Sequence, residues 1–284
     1  MPQAAHLQIA TPGGVPVRVR SGSNDDFWAA YQNGDWEPDT AAVFRRFLDA
    51  DHSYIDIGAW IGPTLLLGCQ LAGRAFGIEP DPLAYDELLE NIERNRPLTD
   101  NVTLSNVCIA PASGKVSFGS RRSGGDSMSS LLFAGGKTSW TVDGVGFQEW
   151  IAANNITDCN FIKIDIEGAE YSVLPTMAAY LRANRPTLHL SLHPCFLGDL
   201  HARGAMAKLK RCWLRLASTM RLIRLLDFYA YLYFPPRERA VYTLRQRLVN
   251  FLARWNRRPV VSLMACWYAI RGGTNALVFT DRRW

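Results

Sequence analysis

The sequence predicts a doubly wound α/β fold, a parallel sheet covered by helices on both faces, and three observations carry that prediction. Short apolar runs recur at SYIDIGA (53–59), RAFGIEP (74–80), CNFIKIDIEG (159–168) and TLHLSLH (187–193). Amphipathic helical stretches separate them. Glycines or acids stand where several of these runs give way to the next helix. Strands that are apolar throughout and joined by helical crossovers need cover on both faces, which an antiparallel sheet does not.

The elements follow in order. Residues 6–20 alternate around Thr11-Pro12-Gly13-Gly14 and predict a β-hairpin, with a short helix over Asp25 to Gln32. Ala41, Phe44, Phe47 and Leu48 recur at helical spacing, so a helix from Thr40 to Leu48 leads into the first strand at 53–59. Thr64 to Leu71 is the next helix, then the second strand at 74–80, then a helix over Asp81 to Arg94 with Leu83, Leu88, Leu89 and Ile92 inward. A third strand is predicted over 101–110, a short edge strand at GKVSF, and a Ser/Gly-rich loop from Ser120 to Gly136. A strand near Thr141 and a helix over 146–154 precede the fourth strand at 159–168; a helix from Ala169 to Ala183 then leads to the fifth at 187–193.

Beyond Pro194 the texture changes. Lys208 to Arg221 reads as a basic helix, Phe228 to Phe234 as an apolar-aromatic strand, Arg237 to Trp255 as a second basic helix with one apolar face, and 275–280 as a last strand. If the two strands pair antiparallel at the sheet edge, the helix between them is an insertion. The expected organisation is an N-terminal cap (1–36), a ligand-binding core (37–195), and basic C-terminal helices with strands completing the sheet (196–284).

With 284 residues, 48% of them hydrophobic, the chain can bury one large core or a core with an appended module. Its six cysteines are widely spaced, with no CxxC pair, as expected in a reducing cytoplasm. The first residues lack the continuous apolar run of a signal peptide, and we expect no transmembrane helix. The net charge of +5 conceals a division: 14 basic and 23 acidic residues up to position 199 give −9, while 17 and 3 thereafter give +14. Such asymmetry implies that the C-terminal part is drawn to phosphate, to an anionic membrane surface through residues 200–258, or to the acidic body itself.

The first strand-to-helix turn reads Asp56-Ile57-Gly58-Ala59-Trp60-Ile61-Gly62. Glycines at such a strand end let backbone approach a nucleotide-like ligand. The spacing is G-x-x-x-G after an acid, not the G-x-G-x-x-G that seats a pyrophosphate. An acid suits an ammonium group better than a phosphate, and Glu79, ending the second strand, is placed for a ribose diol. Together these favour S-adenosylmethionine over a nicotinamide dinucleotide. At the fourth strand, Lys163, Asp165 and Glu167 share one face if the run stays extended. They are candidates to hold the amino-acid end of the donor, orient an acceptor hydroxyl, or bridge a divalent cation, although no metal site is assigned. His193, following the fifth strand, is the candidate general base beside Asp165; Lys163 either lowers an acceptor pKa or pairs with Glu167; His189 is expected to be a hydrogen-bonded core residue.

DIGAWIG, GIEPDP and, most specifically, FIKIDIEGAEYSVLP resemble the FkbM-type methyltransferases, over roughly Gly34 to Pro194. The resemblance implies a Rossmann-like class I methyltransferase sheet and O-methylation of a hydroxyl on a glycan or specialised metabolite. It also implies donor contacts at Asp56, Gly58, Gly62 and Glu79, further ones at Asn106 and Asp165, and an acceptor near the Ser127 to Leu131 loop. Two positions depart from the pattern: Trp60 stands where the family usually has Asn, and Ser191 where an acid is common. Trp60 is then expected to cover the adenine or close the pocket. The alternatives are a non-catalytic S-adenosylmethionine-binding or membrane-associated partner protein and, third, a nucleic-acid methyltransferase. A cytoplasmic enzyme is expected, peripheral on the inner face of the membrane if the basic helices bind lipid, with self-association open.

Overall fold

The computed structural model describes residues 6–12, 14–120, 129–130, 138–198, 203–234, 258–271 and 275–284. The N-terminal hairpin forms as expected: β1 (His6–Ala10) pairs antiparallel with β2 (Pro16–Arg20), and α1 (Asp25–Gln32) follows. α2 (Pro38–Phe47) then leads into β3 (Ser53–Ile57), α3 (Pro63–Gly68), β4 (Arg74–Ile78), α4 (Pro82–Glu93) and β5 (Val102–Ser105). β6 (Cys108–Ile109), β7 (Gly114–Ser120), β8 (Ser129–Ser130) and β9 (Thr138–Val145) lie between β5 and α5 (Phe147–Ala153). The second half comprises β10 (Cys159–Ile164), α6 (Glu170–Asn184), β11 (Thr187–Leu192), α7 (Ala205–Leu225), β12 (Tyr231–Tyr233), α8 (Arg258–Ile270) and β13 (Asn275–Thr280).

The central sheet has seven strands in the order β12-β13-β11-β10-β3-β4-β5. β5, β4, β3, β10 and β11 run parallel, and β13 alone is reversed, antiparallel to both β11 and β12. Every residue of β3 and β11 is buried, as expected for a sheet covered on both faces. The antiparallel pair expected at the sheet edge is present, with α8 between its strands in sequence. The helix expected over 237–255 falls outside the described residues.

Several expectations need correction. The run 101–110 is two strands: β5 stays in the central sheet, whereas β6 pairs with β9 in a second sheet ordered β6-β9-β7-β8. GKVSF belongs to a longer strand, β7, flanked by β9 and β8, so it is not an edge. On α4, Leu88 and Ile92 are buried with Ala84 and Asn91, but Leu83 is 60% and Leu89 42% exposed. At 3.6 residues per turn the inward stripe runs 84, 88, 91, 92, and positions 83 and 89 fall outside it.

The cap is stitched to the core by polar side chains. Asn91 accepts from Arg20 N–H (2.6 Å) and donates to the Ile61 carbonyl (2.9 Å), tying β2, α4 and the first glycine turn together. Asn95 accepts from Arg18 N–H (2.8 Å), and the buried Tyr31 hydroxyl donates to the Pro63 carbonyl (2.8 Å). Burial pushes the Tyr31 phenol up, so it stays a donor.

Candidate active site

The carboxyl ends of β3, β4 and β10, with the β5-to-β6 segment, open onto one cleft, lined by Gly58, Trp60, Glu79, Val107, Cys108, Ile109, Phe118, Asp165 and Glu167 among others. This is the edge where an open α/β sheet takes its ligands. Gly58 has φ 86, and a Cβ there would lie 1.9 Å from the Asp165 carbonyl oxygen. Only glycine lets the ends of β3 and β10 abut in this way. Gly62, at φ 98, starts α3 against Leu88 and is not part of the cleft lining.

Glu79 connects the two sequence motifs. Its carboxylate accepts from Trp60 N–H (2.9 Å) and Asp81 N–H (2.8 Å), while Asn106 donates to the Glu79 carbonyl (2.8 Å). Burial pushes the carboxyl up to about 7 against the pull of those two N–H groups. Trp60 lines the cleft with its backbone at φ 49, and its ring meets Phe27 of α1 edge-on at 4.5 Å. The cap thus braces the residue that departs from the family pattern.

Asp56 lies under the cleft, not in its lining. It is fully buried, accepts from the Thr64 hydroxyl (2.6 Å) and faces Lys163 Nζ at 3.6 Å. Lys163 is also buried, between Asp56 and Asp165 at 3.6 Å each, so its ion-pair partners are these two and not Glu167. Burial works against the Lys163 charge, yet the two carboxylates outweigh it and raise its pKa.

The expectation that Lys163, Asp165 and Glu167 share a strand face is overturned: β10 ends at Ile164, and the chain turns, with Glu167 at φ 51 and Gly168 at φ 98. The turn brings His193 to the acids. His193 Nε2 lies 3.6 Å from both Asp165 Oδ1 and Glu167 Oε2, and Nδ1 is 2.9 Å from Glu170 Oε1. Burial opposes the imidazolium, but the Glu170 hydrogen bond and the Asp165 charge prevail and push its pKa up to about 10. Asp165 is held low, with burial opposed by Lys163, His193 and a hydrogen bond from Ser191. Ser191 therefore anchors the acid where the family pattern has another acid. These contacts favour the imidazolium over the neutral ring, which weighs against His193 as the resting base.

Glu37 is a site residue that sequence reasoning missed, and Glu170 one that it reads as complementing the following helix. Glu170 opens α6, where acids commonly complement the helix N-terminus. Its carboxylate is instead fully buried against His193. Glu37, just before α2, has φ 39 and accepts from the Thr40 hydroxyl at 3.0 Å. Burial and the Asp165 charge push its carboxyl up to about 7, while Lys163 and His193 pull it down. Left-handed backbone at a non-glycine costs of order 1 kcal/mol and clusters at functional sites; Glu37, Trp60 and Glu167 all have it. No sequence signal marks Glu37. His189 is a core residue as expected, but both ring nitrogens lack a hydrogen-bond partner, and burial pushes its pKa down to about 3. Of the Ser127 to Leu131 loop, Ser129 and Ser130 pair with β7; the other positions lie outside the described residues.

Asp165, Glu170 and His193 also bring metal-ligand-type atoms within 4.8 Å of one another. A divalent cation there must displace the His193 proton and compete with Lys163 for Asp165, and we derive no step through one.

The charge of His193 has a consequence for stability. Its folded pKa lies above the unfolded value of 6.5, so its contribution is complete below pH 6.5 and is lost as pH rises towards about 10. Thermal melts should fall across that window in the wild type, and His193→Gln should flatten this part of the profile.

The sheet order, with its single reversed strand and a buried acid beside a glycine turn, fits the class I methyltransferase sheet that the sequence resemblance implies. The model of the methyltransferase FkbM domain matches residues 56–212, and the chain belongs to that family. It is 25% identical over 175 residues to hexuronic acid methyltransferase AglP of Haloferax volcanii, covering 62% of this chain and 70% of that protein. Among solved structures, it is similar to methyltransferase FkbM from Methylobacillus flagellatus (18% identity, TM-score 0.35, 53% of this chain and 39% of that one). Another is an RNA methyltransferase from Salinibacter ruber in complex with S-adenosyl-L-homocysteine (12% identity, TM-score 0.34, 55% of this chain and 74% of that one).

The residues present suit the donor. Gly58 contributes no side chain to the cleft, and the carboxyl groups of Glu79, Asp165 and Glu167 line it, with Asp165 held ionised to face a cationic donor. Replacing Glu79 with Gln removes an acceptor that, in its ionised form above about pH 7, is worth about 1.5–3 kcal/mol per charge-assisted hydrogen bond. Donor affinity measured by calorimetry should therefore fall about 10- to 100-fold.

Proposed function

We propose that the protein transfers the methyl group of S-adenosylmethionine to a hydroxyl of a sugar-containing acceptor, either a glycan or a specialised metabolite. The observation that carries this reading is the juxtaposition of Asp165, at the cleft, with Lys163 and His193 beside it. Glu79 would take the ribose, Val107 to Ile109 the adenine, and Gly58 with Asp165 the amino-acid end. S-adenosylmethionine, when bound, supplies an electrophilic methyl whose S–C electron pair stays on sulfur as the O–C bond forms. The hydroxyl proton then needs an acceptor. A protonated His193 cannot take it, and Glu37, whose carboxyl is raised by burial and by the Asp165 charge, is the candidate base that the pH profile tests. Lys163 and His193 keep Asp165 ionised and oriented.

The hexuronic acid methyltransferase relative supports sugar acids as the first acceptors to try. Labelled S-adenosylmethionine with a hexuronate-bearing glycan should yield a product one methyl heavier whose label survives alkali, as an ether does. An alkali-labile ester would overturn the hydroxyl as acceptor, and label in RNA would favour the nucleic-acid reading. The rate should rise as pH passes through about 7, where Glu37 ionises. Glu37→Gln should flatten that limb and leave donor affinity unchanged; a limb that persists removes Glu37 from the role.

A further inference from the structure

α7 presents an outer face unlike that of an ordinary solvated helix. Met206 is 67%, Leu209 62% and Trp213 69% exposed, with Met220 exposed further along. At about 100° per residue, these four fall on a narrow strip, with Lys210, Arg221 and Arg224 on or immediately beside it, all within about 120° of the circumference. The helix carries six basic residues and no acidic one. Its opposite face is fixed: Thr219, Leu222 and Ile223 are buried, the Thr219 and Tyr171 hydroxyls are 3.2 Å apart, and Arg215 donates to the Cys195 carbonyl at 3.0 Å. The outer strip therefore belongs to a helix that the rest of the fold already holds in place.

We infer that this face of α7 docks on an anionic lipid bilayer, lying in the headgroup region with Trp213 as its central anchor. Charge decides the occupant. An apolar strip bordered only by cations repels the same strip on a second copy, while a bilayer surface rich in anionic headgroups satisfies the basic residues and takes up the apolar ones together. The net charge of +14 beyond position 199 acts in the same direction. Among the described residues no helix is long and apolar enough to cross a membrane, which makes this a surface attachment. Cys195 follows His193 by two positions, so the contact with Arg215 puts the docking helix against the segment that carries His193.

The test is co-sedimentation of the full chain with vesicles of phosphatidylcholine alone and of phosphatidylcholine with phosphatidylglycerol. Binding is expected to the second only, weakening as salt is raised. The triple variant Lys210→Gln/Arg221→Gln/Arg224→Gln should reduce partition about 100-fold, at roughly fivefold per charge. Trp213→Ser should reduce it at least about tenfold, the aromatic body being the apolar anchor. Unchanged far-ultraviolet circular dichroism and S-adenosylmethionine affinity certify both variants as folded. No binding to anionic vesicles, or equal binding to both vesicle types, overturns the inference. So does a dimer in sedimentation velocity that Trp213→Ser dissociates, or binding to a short RNA that displaces the vesicles.

Discussion

Replacing Asp165 with Asn is expected to lower kcat/KM roughly 100-fold or more, the scale for removing one preorganised charged group from a water-poor site. The side chain lies where the cleft, Lys163 and His193 meet. Asn keeps the shape and loses the charge. Lys163 is then left with Asp56, and His193 with Glu167 and Glu170, so both cations stay partnered and the fold should survive. The loss should therefore appear in catalysis, with a melting temperature close to wild type. With a preferred acceptor in hand, steady-state kinetics separates the contributions: a rise in KM for S-adenosylmethionine assigns Asp165 to the donor, and a fall in kcat assigns it to the transfer step. A rate within about twofold of wild type would remove Asp165 from the mechanism, since a group acting in the transition state cannot be lost that cheaply.

Gly58→Ala is expected to be the most destabilising single-methyl change at the site. Two costs coincide. A left-handed φ of 86 strains alanine by about 1–2 kcal/mol, and the added Cβ would meet the Asp165 carbonyl oxygen at 1.9 Å, where the neighbour is backbone and has no rotamer to give. Overpacking of this kind adds about 1–3 kcal/mol. A total of about 3 kcal/mol or more should be visible as a lowered denaturation midpoint with an unchanged slope. Gly22→Ala is the control. Nothing lies within 4 Å of the Cβ it would acquire, and stability should hold. If Gly58→Ala folds as well as wild type, the close approach of β3 to the β10 turn is wrong.

The sequence reading and the structure diverge in ways that have physical causes. The strands were legible because burial on both faces demands uninterrupted apolar runs, and β3, β4, β10 and β11 lie within the runs that predicted them. The two motifs were legible because a glycine turn and an acid at adjacent strand ends are local features. Their coupling through Trp60 N–H and the Glu79 carboxylate was not, since it depends on the register between β3 and β4. Spacing along an extended strand offers Lys163 either an acceptor hydroxyl or Glu167 as its partner. The strand stops at Ile164, and the lysine turns to Asp56 on the neighbouring strand.

The sequence by itself determined the α/β class, the strand ends that carry the donor half of the site, the family resemblance, and the basic character of the C-terminal part. Each is written in composition, periodicity or a contiguous motif, and local chemistry suffices to read it. Only the tertiary structure decided the gathering of acids around His193, the burial of Asp56 beneath the cleft, the roles open to Glu170 and Glu37, and the outward face of α7. Those depend on which charges and which surfaces meet across elements far apart in the chain. A pKa or an exposed face is a property of that meeting: the Asp165 charge, 128 positions along the chain, helps to raise the Glu37 carboxyl.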